Sequence, residues 1–365
     1  MKHITFTVTN DLNYDQRMQR ICSSLANADY DVLLIGRKLS ASPPLAIKEY
    51  KQKRLPCLFL KGKLMYLEFN LRLLFYLLTV STDCFCAIDL DTILPNYFIS
   101  KLRGRKRVYD AHELFTEQKE IVTRPLIYKL WLKVEKFAVP KFTYGYTVNE
   151  FIANEFNKRY GVNYAVVRNL SKLNRLQPSA DKISPFIIYQ GAVNEGRCFE
   201  TLIPAMKLVS AKLVVCGNGN FFEKVKQLVK DHRLEEKIEL KGMVAPEELL
   251  KLTPNAYAAV MLFEDTGLNQ YQSLSNRFFD YIMAGVPQVC VAYPQYKAIN
   301  NEYEIACLIN NTASETIAYA LNNLLTNDVY HDMLQQNCLK AREKLNWQSE
   351  EEVLLNFYKE VFDNH

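Results

Sequence analysis

"SLSNRFFDYIMAGVPQVCV", residues 273–291, reads as a short helix, a Gly-Val-Pro turn and a β-branched run. The apolar residues at 278, 279, 282 and 283 have helical spacing, and Gly285 followed by Pro287 ends the helix. The run at 288–291 has the composition of a strand buried on both faces, as in parallel sheets. Asn276, Arg277 and Asp280 stand at the head of this helix. A plain scaffold helix needs none of those polar groups.

The same helix–strand alternation extends in both directions. Upstream in the second half, strands are expected at 186–193, 212–217, 237–242 and 257–263, with helical patterns between them. The first half repeats the design, with strands at 2–9, 31–37, 84–90, 106–113, 144–148 and 164–169. Such alternation specifies α/β doubly wound parallel sheets. The polar stretch 169–185, with two prolines, interrupts it and reads as a linker. The chain therefore divides into an N-terminal domain, 1–170, and a C-terminal domain, 171–345, expected to face each other across a cleft. At 365 residues it is longer than a single core usually grows.

Composition narrows the class. With 49% hydrophobic and 23% charged residues the chain folds as a globular protein. The richest apolar run, 71–80, is too short to span a bilayer, and the amino terminus reads as a strand, so a cytoplasmic location is expected. None of the nine cysteines forms a CxxC pair, and several sit inside strand patterns, which favours buried free thiols over disulfides or a metal site. Residues 1–170 carry 26 Lys and Arg against 16 Asp and Glu, whereas 171–365 carry 19 against 24. Basic concentrations at 48–56 and 101–107 suit an anionic membrane surface; no nucleic-acid motif accompanies them.

In doubly wound sheets ligands lie beyond the carboxyl ends of the strands. There the second half offers Gly191, Asn194, Gly196 and Arg197, then Gly217, Asn218 and Gly219, then Glu264, and finally the head of the 276–284 helix. Glycines at strand ends expose backbone N–H groups, which a phosphate needs. Arg197 and Arg277 supply positive charge, and Asp280, Glu264 or Asn218 can accept hydrogen bonds from ribose or sugar hydroxyls. In the first half, Asp110, His112 and Glu113 follow a strand in "VYDAHELF".

The succession "YQGAVNEGR", "VVCGNGN", "LKGMV", "SLSNRFFDYIMAGVPQV" resembles the donor domain of GT-B glycosyltransferases of the retaining family 4 type. The resemblance implies two Rossmann-like domains, the second binding a nucleotide diphosphate sugar, and a last helix, 346–365, that packs back on the first. It also implies that the helix head at Ser275, Asn276 and Arg277 faces the diphosphate, that Asp280 binds the ribose, and that His112, with Asp110 and Glu113, lies by the transferred sugar. No metal or other cofactor is implied.

The sequence departs from that pattern at three places. Gln272 stands where the first of two family carboxylates belongs, with Glu264 or Asp265 as substitutes. The diphosphate-binding cations do not align after the first donor-domain strand, which leaves Arg197 and Arg277. The usual Gly-rich loop after strand one is "TNDLNYDQR", so Asn10, Asp11, Asp15 and Arg17 would face the acceptor with side chains. The expected reaction is transfer of a sugar to a saccharide or lipid-linked acceptor of the cell envelope, with retention by front-face attack. A nucleotide-sugar epimerase and a catalytically silent nucleotide-sugar-binding protein are the alternatives. A dinucleotide oxidoreductase fits the alternation, but no GxGxxG follows the first strand.

Overall fold

The structure, a computed structural model, describes residues 1–363 except 14, 40–41 and 177–183. Residues 177–183 of the expected linker thus lie outside the described residues. The chain divides into two compact units, Met1–Asn169 with Glu350–His365, and Leu170–Ser349.

The first unit holds a seven-stranded parallel sheet: β1 (His3–Thr7), β2 (Asp31–Lys38), β3 (Lys51–Pro56), β4 (Cys84–Ile88), β5 (Lys106–Ala111), β6 (Tyr144–Thr147) and β7 (Ala165–Val166). Its order is β3-β2-β1-β4-β5-β6-β7, so the winding reverses between β1 and β4. The second unit has six parallel strands: β8 (Phe186–Gln190), β9 (Lys212–Cys216), β10 (Ile238–Gly242), β11 (Ala258–Met261), β12 (Gln288–Val291) and β13 (Ala306–Ile309). The order β10-β9-β8-β11-β12-β13 reverses between β8 and β11. These two reversals are where a doubly wound sheet opens a crevice.

Central strands are buried along their whole length, β4, β8, β11 and β12 among them, because helices cover both faces. Two edge strands, β3 and β13, are absent from the sequence expectation. As an edge strand, Lys-Gln-Lys-Arg-Leu-Pro buries only Leu55 and so lacks the apolar run of its neighbours. The basic residues expected on an open surface are largely engaged here: Lys51 pairs with Asp31, Lys53 lies over the Tyr76 ring, and Arg54 meets Asp11. At 101–107, Arg103 donates to the Leu77 carbonyl, Arg105 pairs with Asp83, and Lys106 donates to the Val361 carbonyl.

The last helix, Trp347–Asp363, packs Tyr358 against Phe6 and Phe357 against Tyr146, both edge-on, while Glu350 accepts from the Arg168 amide at 2.7 Å. All nine cysteines are free, and seven are buried. None of the helices among the described residues is long and apolar enough to cross a membrane.

Candidate functional site

The helix of the opening stretch runs Asn276–Ala284. Gly285, at φ 71°, ends it: its amide donates to the Ile282 carbonyl and the Val286 amide to that of Tyr281, a Schellman turn that feeds β12 directly. At the other end Ser275 is the N-cap, but its side chain does not cap. The Ser275 amide instead donates to the Tyr296 hydroxyl at 3.1 Å, and Asn276 is exposed on the first turn. The positive end of this helix dipole therefore meets no side-chain acceptor from Ser275.

Arg277 turns inward. It is only 7% exposed, its guanidinium carbon lying 4.5 Å from the centre of the Tyr189 ring and 5.0 Å from that of Phe263. Neither terminal nitrogen has a hydrogen-bond partner among the described residues. Arg197 shares the Phe263 ring, its guanidinium carbon 4.2 Å from the ring centre. Burial and the neighbouring Arg277 both push the Arg197 guanidinium below its usual range. Two desolvated like charges share one aromatic platform, and the rings compensate only part of the desolvation.

Around this pair the strand-end loops interlock. Gly191 lies against Arg277, a Cβ at 191 being 3.6 Å from Arg277 Cδ. The Gly191 amide donates to Cys216, and the Val193 amide to the Asn218 carbonyl. The Asn218 side chain accepts from the Gly219 amide at 2.7 Å, and that of Asn194 accepts from the Asn220 amide at 3.1 Å. Gly217 is required by close approach: its Cβ would stand 1.8 Å from the Gly191 carbonyl oxygen. After β11, the Glu264 amide and the Gln270 side chain both donate to the Gly196 carbonyl. Glu264 is half-buried, with Oε2 3.8 Å from the position of a Gly196 Cβ. Gln272 accepts from the Gln295 side chain at 3.2 Å. Asp280 accepts from Ser171 Oγ at 2.5 Å and from Gln190 Nε2 at 3.4 Å, a hydrogen-bonded carboxylate at the end of β8.

The first unit assembles a second cluster at its own reversal point. Asp110, fully buried near the end of β5, accepts from Arg17 at 3.1 Å. His112 follows, 23% exposed, with Nε2 3.1 Å from Asp110 Oδ2 but without hydrogen-bond alignment, and Nδ1 3.5 Å from Asp89. The His112 amide donates to Asp89 Oδ1 at 2.9 Å. Asp89 leaves β4 at φ 53°, a strained value for a non-glycine residue. Two residues on, Asp91 accepts from Thr9 Oγ1 at 2.6 Å, which ties the ends of β1 and β4 together. Glu113 accepts from Gln118. Asp89 and Asp91 escape the sequence reading, although both follow a strand, the signal used in the second half.

Charge is unevenly held in this cluster. Burial opposes ionisation of Asp110, yet Arg17 and His112 keep it below the usual carboxylate range. Burial raises Asp89 to about 6, and burial with the Asp89 charge raises Asp91 to about 7. Burial works against the imidazolium, but Asp110 and Asp89 outweigh it and raise His112 to about 9. Because the folded value lies above the unfolded one, near 6.5, the His112 contribution to stability is complete below pH 6.5 and is lost as pH rises to 9. It should amount to about 2–3 kcal/mol over that window. Urea titrations at pH 6, 7.5 and 9 should therefore show the wild type losing more stability than His112→Gln. Equal pH dependence of the two proteins would remove the imidazolium from this account.

The residues expected to face an acceptor are engaged in the same unit. Asp11 is buried and accepts from Arg54, Ser42 and the Asn13 amide, which, despite burial, hold it below its ordinary value. Asp15 caps the helix Gln16–Asn27 through the Met18 amide, and Arg17 pairs with Asp110. Asn10 is exposed and donates to Asp15.

Residues 172–344 match the family model described as Glycosyl transferases group 1. No curated protein matches the sequence. Among solved structures, sucrose-phosphate synthase from Thermosynechococcus elongatus superposes with a TM-score of 0.80 at 16% identity, covering 100% of both chains. HepE from Anabaena, in complex with UDP and glucose, gives 0.77 at 11% identity, again over 100% of both. WaaG, a glycosyltransferase involved in lipopolysaccharide biosynthesis, gives 0.71 at 12% identity over 96% of this chain and 97% of its own. With two doubly wound parallel sheets the chain has the GT-B fold, and the segment that fills nearly all of its second unit matches the glycosyl transferases group 1 family.

Proposed function

We propose that the chain transfers a sugar from a nucleotide diphosphate sugar to a saccharide or lipid-linked acceptor of the cell envelope, with retention of anomeric configuration and without a metal. The observation that carries this reading is Arg277, a buried guanidinium whose terminal nitrogens lack a partner among the described residues, beside Arg197 and a helix head at the β8/β11 reversal. A diphosphate supplies the missing acceptors and neutralises both charges. As the anomeric bond to phosphate breaks, negative charge grows on the leaving diphosphate. Arg277, Arg197 and the first-turn amides stabilise that charge electrostatically. Asp280 and Glu264 are the hydrogen-bond acceptors for donor hydroxyls. His112, cationic at neutral pH, donates to the transferred sugar and is oriented by Asp110 and Asp89. Asn10 and its neighbours Asp11, Asp15 and Arg17 shape the acceptor side. A diphosphate oxygen takes the acceptor proton, and an inverted linkage by NMR would end the front-face mechanism.

UDP lies in a solved neighbour, and another neighbour acts in lipopolysaccharide biosynthesis, which supports a sugar nucleotide as donor and an envelope glycan as acceptor. Thermal melts with UDP, GDP, ADP, CMP and NAD, each with and without EDTA, test the donor. Ligand at about 100 times its dissociation constant adds about 2.7 kcal/mol, a shift of several degrees. One nucleoside diphosphate should give that shift, unchanged by EDTA. A shift with NAD alone, or with none, would overturn the reading. Binding with no transfer to any glycan acceptor would favour the silent binding protein, for which Gln272 is the motivating residue, and donor isomerisation would reveal an epimerase.

A further inference from the structure

We propose that a three-helix face of the first unit docks on an anionic lipid surface, lying on it rather than crossing it. The helix Gly62–Thr79 is apolar on two opposite sides. Met65, Phe69, Leu73 and Leu77, at i, i+4 spacing, are buried against the sheet. Leu64, Leu67, Leu71, Phe75 and Leu78, spaced by three and four, form a second stripe that is 45–66% exposed. In a water-facing helix that second stripe carries polar residues. Leu58, Phe59 and Leu60 extend the exposed apolar surface into the preceding loop. The helix's one carboxylate, Glu68, accepts from the amides of Leu58 and Phe59 and pairs with Arg72, so it presents no free negative charge.

Two neighbouring helices continue the face. Ile93–Leu102 packs through Tyr97 edge-on to Phe137 of Pro125–Ala138, and Tyr66 of the first helix meets Trp131 of the third. Their exposed apolar residues are Phe98, Leu102, Leu126, Leu130 and, in part, Phe137. Interleaved with these are exposed Lys101, Lys129, Lys133 and Lys136. The second helix has no carboxylate, and the single one of the third, Glu135, is buried and accepts from Tyr160. Every exposed charge on the outer sides of these helices is thus positive or paired. A protein interface core is depleted in lysine, whereas apolar side chains mixed with lysines match an acyl boundary beneath anionic headgroups. With Lys63, Glu68 and Arg72 along the helix and one face packed on its own sheet, the first helix cannot span the bilayer. The apolar stripe is a better anchor than the basic strand β3, whose cations are tied down internally.

Co-sedimentation of the full chain with vesicles tests this. Binding to phosphatidylcholine vesicles containing about 30% phosphatidylglycerol should exceed binding to phosphatidylcholine alone by at least about tenfold and should weaken with salt. Leu71→Ser/Phe75→Ser should lower it about tenfold. Lys129→Glu/Lys133→Glu/Lys136→Glu should lower it by on the order of 100-fold, since each lysine at such a surface is worth about fivefold. All substituted residues are exposed, and unchanged thermal melts with the bound nucleotide would verify that the variants fold and retain the donor site. Equal binding to both vesicle types, or wild-type binding by both variants, overturns the proposal. So does a wild-type dimer in solution that Leu71→Ser/Phe75→Ser converts to monomer without any vesicle binding, because the face is then a protein interface.

Discussion

Replacing Arg277 by methionine should raise the dissociation constant for the nucleoside diphosphate by about 100-fold or more and leave the fold as stable as the wild type, or more stable. The two halves of that expectation have one cause. The guanidinium is buried between Tyr189 and Phe263, with Arg197 sharing the second ring and no acceptor for either terminal nitrogen among the described residues. Keeping an unpaired charge out of water costs several kcal/mol, of which each ring contact returns about 0.5–2 kcal/mol. Methionine keeps the packing volume and removes the cost. With diphosphate bound the balance inverts, since each charge-assisted hydrogen bond lost removes about 1.5–3 kcal/mol. Transfer should fall by about a thousandfold, because the same contact meets growing charge on the leaving group. Calorimetric titration and a thermal melt read both halves. Wild-type affinity in the variant would make Arg277 a core cation and put the diphosphate elsewhere.

That residue marks how far the sequence was legible. A cation at the head of a helix, one strand away from glycine-rich turns, is visible in "SLSNRFFDYIMAGVPQVCV". Its burial between two rings is not, because Tyr189 lies in β8 and Phe263 just beyond β11, strands that become neighbours only through the sheet order. Interior parallel strands were readable because both faces are buried, whereas the edge strands β3 and β13 were not, and β3 lacks an apolar run altogether. The same limit hid Asp89 and Asp91. A carboxylate after a strand looks like a turn residue until β1, β4 and β5 align and bring Thr9, Asp91, Asp89 and His112 together. In "TNDLNYDQR" the side chains were legible and their partners were not. Asp15 meets the Met18 amide of its own helix, and Asp11 and Arg17 meet Arg54 and Asp110, which come from elements the sequence alone does not bring together. The exposed stripe from Leu64 to Leu78 was hidden for a further reason. Leucines on both sides of one helix give no periodicity by which a buried face can be told from an open one.

Gly217→Ala should destabilise the second unit by about 4 kcal/mol or more, enough to populate its unfolded form. Residue 217 has φ 148°, and the added methyl carbon would stand 1.8 Å from the Gly191 carbonyl oxygen and 2.8 Å from its carbon. Neither atom belongs to a side chain that can swing aside. Gly191 is itself fixed by the hydrogen bond its amide donates to the Cys216 carbonyl, and Gly217 by the one its amide donates to the Gly242 carbonyl, so relief must come from parting the ends of β8, β9 and β10. Gly196→Ala is the control. There φ is also positive, at 79°, but the nearest atom is the flexible Gln270 amide nitrogen at 3.4 Å, so only the backbone conformation is penalised, by about 1 kcal/mol. Denaturant titrations of the two variants separate close approach from conformational preference. If Gly217→Ala matched Gly196→Ala in stability, the three strand ends would be able to part at little cost, and the floor beneath Arg277 would be a yielding one. The large difference expected makes it rigid, which is what an electrostatic site needs, since donors fixed before the charge develops do not have to reorganise around it.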